Sequence, residues 1–89
     1  MTHADANPPC ETFARVIGRL SAEIQRLTRE IPLHQGRLQE LESLPQPDDV
    51  VVQGLAQVIQ AAVDELQDAE KDIVQMEILF RTNCHRGTA

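Results

Sequence analysis

Two cysteines and three histidines are the side chains of this 89-residue chain best suited to chemistry. Cys10 and Cys84 stand near its two ends and outside any Cys-x-x-Cys spacing, so they give neither a disulfide framework nor a zinc motif. If the chain folds back on itself, they meet. A disulfide would then clamp the ends, or His85 and His3 would complete a soft metal site with the two thiols. The expectation here is the plainer one, two reduced thiols at helix ends, with no metal or cofactor assigned.

His34 is the next candidate, because an imidazole in an apolar seam changes charge between about pH 5 and 8 and would make assembly respond to pH. The favoured reading is structural: a neutral ring bonded to a nearby carbonyl or water, with the backbone freed at Pro32 as one source of an acceptor. Glu30 and His34 are spaced i, i+4, so the Glu-x-x-His signature of di-iron bundles is missing. The chain has no Ser/His/Asp set, no glycine-rich phosphate loop and no His-Glu-x-x-His motif, and the expectation is a protein that is not an enzyme.

Charge points the same way. The formal net charge of −6 opposes phosphate binding, and the absence of Trp and Tyr removes the stacking platforms of most single-strand nucleic-acid binders. A local exception is an outward stripe of Arg15, Arg19, Arg26 and Arg29, which would suit an acidic helix or a phosphate backbone. Without lysines or aromatics beside it, the stripe reads first as a solvated helix face with i, i+3 and i, i+4 ion pairs, and nucleic acid is not the expected partner. No run approaches the roughly 20 apolar residues that cross a bilayer, and Met1-Thr2-His3-Ala4-Asp5 lacks the pattern of a secretory leader. No membrane partner is expected, and the default address is cytoplasmic.

The elements that must position these residues are helices. Residues 1–7 are small and polar and predict a mobile tail, as do residues 87–89. Asn7-Pro8-Pro9 reads as a cap with proline in the first turn. From there apolar residues recur at alternating spacings of four and three. Ile17, Ile24, Ile31 and Leu38 take the a positions of a heptad, and Phe13, Leu20, Leu27, His34 and Leu41 take d. Pro32 lies at an outward b position and the heptad stays in phase across it, predicting one kinked helix over about 8–43. Pro45, Pro47 and the Asp48-Asp49 pair predict a turn at about 44–48 and a capped second helix at about 49–84. Its seam is Val52, Leu55, Ile59, Ala62, Leu66, Ala69, Ile73, Met76 and Phe80, with Asn83, His85, Arg86 and Gly87 as stop signals.

The fold class is therefore all-α, a hairpin of two long antiparallel helices with heptad seams. Residues whose numbers sum to about 93 should lie side by side, which puts Cys10 near Cys84. A chain of this length buries little surface by itself. The second helix also carries apolar residues beside its seam: Val51, Val58 and Leu79 at g and Val63 at e. Fully burying four such side chains would contribute about 1.5–3 kcal/mol each before ordering costs. A homodimer forming a four-helix bundle is the simplest way to cover them. Val74, Ile78 and Arg81, on the outward side, mark the surface expected to meet a different protein. The function expected is a non-enzymatic protein–protein interaction module, a small regulator, adaptor or chaperone. The alternatives are a redox- or metal-responsive protein using Cys10 and Cys84, and a nucleic-acid binder using the arginine stripe.

Overall fold

A computed structural model describes residues 8–84, which form α1 (Pro8–Glu42) and α2 (Asp49–Cys84) joined by residues 43–48. The tails and the signals at Asn7, His85, Arg86 and Gly87 lie outside the described residues. α1 opens with Pro8 and Pro9, at positions where a helix has no use for the missing N–H groups. It runs unbroken through Pro32. The ring is exposed at its b position, and the local loss is the bond that residue 32 would have donated to the Thr28 carbonyl.

α1 ends by tightening. The Ser43 N–H donates to the carbonyls of Gln39 (3.1 Å) and Glu40 (3.2 Å), and the Leu44 N–H donates to Leu41 at 3.4 Å. Ser43 Oγ donates to the Gln39 carbonyl at 2.8 Å, and Pro45 then prevents continuation. Of the two carboxylates expected to start α2, Asp48 is the cap: its Oδ1 accepts from the Val50 N–H at 3.0 Å and the Val51 N–H at 3.3 Å. Its carbonyl accepts the first helical bond, from the Val52 N–H at 2.9 Å. Asp49 sits in the first turn, where its charge complements the helix dipole.

The helices pack antiparallel into a rod of 69 × 17 × 14 Å. Every seam position of both heptads is buried or half-buried, whereas the b, c and f positions of α2 are exposed. Full burial is confined to the middle of the rod: Leu27 at 1%, Ala69 at 5% and Ile31 at 8% exposure. The reason lies in size. Residues whose numbers sum to 94 stand at one level, as Cys10 and Cys84 do, so Leu27 and Ile31 fall at levels between Ala69 and Ala62. Small residues on α2 let the backbones approach, and the two large α1 side chains fill the space between them. Val63, at an e position next to Ala62, is half-buried as well.

Leu27→Ala should cost about 2–5 kcal/mol in urea unfolding followed by circular dichroism, because it leaves a cavity at the most buried side chain of the rod. A loss below about 1 kcal/mol would show that the middle of the rod is not its core. Gly18 and Gly36 are exposed within α1, and an added Cβ at either meets nothing within 4 Å. Gly18→Ala and Gly36→Ala should each stabilise the helix by about 0.5–1 kcal/mol.

Candidate functional site

The open end and one flank of the rod carry what chemistry the fold assembles. At the open end Cys10 lies in the first turn of α1 and Cys84 is the last residue of α2. The expectation of two free thiols is corrected: the pair is joined by a disulfide, with the Cα atoms 5.9 Å apart and a sequence separation of 74. The physical reason is length matching. α1 and α2 have 35 and 36 residues, so a short turn brings their far ends level, within the reach a disulfide requires. In the chain-entropy account, closing a loop of this size stabilises the fold by about 4–5 kcal/mol. Both cysteines are half-buried. His3 and His85, the partners considered for a metal, lie outside the described residues, among which no group of three or more metal-ligating side chains gathers.

The flank is on α2. Val51, Val58 and Leu79 are 48%, 50% and 39% exposed, as their g positions imply. Val63 differs from these three, since the hairpin itself covers much of it. Val74 and Ile78 are exposed on the outward side, with Arg81 exposed one turn further on. Val74 also borders a shallow open groove with Gln67, Glu70, Lys71 and Gln75. Val50 of α2, at 80% exposure, Leu33 of α1, at 72%, and Leu44 in the turn are further exposed apolar residues that the heptad seams do not account for. The signal was present, since each is an apolar residue off the heptad stripe.

The arginine stripe is less open than its sequence positions suggest. Arg26 is held by two carboxylates of its own helix: Nη2 donates to Glu23 at 2.6 Å and Nη1 to Glu30 at 2.9 Å. The hydrogen bond with Glu23, with the charges of both carboxylates, holds its guanidinium above the ordinary arginine range, against a smaller effect of desolvation. These pairs have a purpose beyond α1. In an antiparallel pair the g positions of the two helices share one flank, so Glu23 falls at the level of Asp72 and Glu30 at that of Glu65. Arg26, one turn from each glutamate, offsets that concentration of like charge. Arg15, Arg19 and Arg29 are exposed, and His34 is half-buried at its d position.

With one of four arginines already committed to carboxylates, no RNA or DNA is expected to be retained on the purified protein at about 50 mM salt, where phosphate contacts are strongest. Binding that disappears when Arg15, Arg19 and Arg29 are replaced by Ala would establish a nucleic-acid face instead.

Among the described residues no helix is long and apolar enough to cross a membrane. No known protein family matches the chain, and no curated protein or solved structure is similar to it.

Proposed function

We propose that this chain is a non-enzymatic protein-binding module, a small regulator, adaptor or chaperone-like helical bundle of the cytoplasm whose first partner is a second copy of itself. The observation that carries the reading is the exposed apolar residues of α2, each 39% exposed or more: Val51, Val58 and Leu79 on the g flank, with Glu65 and Asp72 between them, and Val50, Val74 and Ile78 on the outward side. Apolar residues in such number along one helix are costly to leave in water and mark surfaces that other proteins cover.

Charge favours a particular arrangement of the two copies. α1 carries five arginines and five glutamates, while α2 carries seven carboxylates against Lys71 and Arg81. In a four-helix bundle whose helices alternate around the axis, each acidic α2 lies between its own α1 and the partner's α1, and the two α2 helices stand on the diagonal. Like charges are thereby kept furthest apart. The apolar g residues of α2 then face α1 of the second copy, and Val74, Ile78 and Arg81 remain outward for a different protein.

Sedimentation equilibrium at micromolar concentration should give a dimer, twice the 9.9 kDa chain mass. The double variant Val58→Glu with Leu79→Glu should sediment as a monomer of undiminished helicity, since both side chains are exposed in the lone hairpin. A wild-type protein that stays monomeric throughout the micromolar range would end this reading.

A further inference from the structure

We infer that the Cys10–Cys84 disulfide is a site of thiol–disulfide exchange, and that its reduction by a dithiol opens the cysteine end of the rod while the centre and the turn stay paired. The inference stands on the placement of the bond relative to the core and does not depend on dimerisation.

Each end of the rod has one covalent tie. At one end it is the turn, residues 43–48, and at the other it is the disulfide between the first turn of α1 and the last residue of α2. Between the disulfide and the fully buried middle lies a long stretch with little to hold it. From Cys10 to Leu27 is about 25 Å of helix at 1.5 Å per residue. Its seam residues Phe13, Ile17, Met76 and Phe80 are only half-buried. The ion pairs of Arg26 with Glu23 and Glu30 stay within α1 and tie nothing across the helices. Contacts of this kind, few and half-exposed, open locally at low free energy unless something else restrains the ends. The disulfide is that restraint, and it lies at the tip of the rod with both residues half-buried and within reach of a reductant.

The exchange balances without any further reagent. A thiolate of the dithiol attacks one sulfur of the Cys10–Cys84 bond, forming a mixed disulfide and releasing the other cysteine as a thiolate, which takes up a proton. The second thiol of the reductant then attacks the mixed disulfide. The reductant leaves as its own disulfide, oxidised by two electrons, and the chain is left with two thiols. Opening would uncover Phe13, Ile17, Met76 and Phe80, an apolar surface that the oxidised rod keeps half-covered.

The test compares hydrogen exchange of the full chain with and without dithiothreitol, the state of the cysteines being read from alkylated peptides. Trypsin separates the two, because Arg15 follows Cys10 while Arg81 and Arg86 flank Cys84. On reduction, amides of roughly residues 10–22 and 72–84 should exchange about tenfold faster or more and well ahead of those around Leu27, Ile31 and Ala69, whose exchange still requires the whole rod to unfold. The variant Cys10→Ser with Cys84→Ser should show the reduced pattern with or without dithiothreitol. Unchanged exchange at the cysteine end after complete reduction would overturn the proposal. So would exchange at one common rate along the whole reduced rod, with no difference between its cysteine end and its centre, and so would a disulfide that dithiothreitol does not reduce under native conditions.

Discussion

Two helices lying side by side can bury only the stripe that each turns toward the other, and every other property of this molecule follows from how little that stripe covers. A larger bundle surrounds its seam residues with side chains from several directions. Here the a and d residues have a neighbour on one side only, and most stay half-exposed. Full burial requires the helix axes to come closer than two rows of large side chains allow. Among the described residues full burial falls at one place, where small Ala62 and Ala69 on α2 stand at the levels around Leu27 and Ile31 on α1. Away from this waist the pairing relies on restraint at the ends, with the turn at one and the disulfide at the other.

The electrostatics are a second consequence of the same thinness. In so narrow a rod the g positions of both helices crowd along one flank, and this chain places Glu23, Glu30, Glu65 and Asp72 there. Arg26, from an outward position, holds two of the four through hydrogen bonds within α1. Its effect is to remove repulsion, since exposed ion pairs contribute little stability of their own.

The heptad spacing of Ile17, Ile24, Ile31 and Leu38 was enough to read α1 as a helix and to carry it through Pro32, because periodicity reports which side of a helix is buried without reference to distant residues. The Asp48 cap and the proline-rich turn were legible for a similar reason, being local chemistry. The antiparallel pairing followed from the turn and placed Cys10 beside Cys84 within one residue of the observed alignment. The bond between them was not legible, since spacing brings sulfurs together and says nothing of whether they are oxidised. Nor was the burial of Val63. Its e position placed it beside the seam, and that the hairpin alone half-covers it is a property of both helices together.

A heptad seam is repetitive, so sliding one helix along the other by seven residues still pairs apolar with apolar, and the seam alone fixes the alignment weakly. Two features break that degeneracy. The waist is one, because after such a slide Leu27 and Ile31 would no longer fall between Ala62 and Ala69, and large side chains would meet large ones. The cysteines are the other. A seven-residue slide moves Cys84 about 10 Å along α1, beyond the roughly 7 Å between Cα atoms that a disulfide can bridge. The observed separation of 5.9 Å is thus compatible with one alignment of the seam. That alignment fixes which surface α2 presents to a neighbour, since the levels of Val51, Val58 and Leu79 along the rod are set by it. The disulfide thus sets where along α1 the g residues Val51, Val58 and Leu79 of α2 stand.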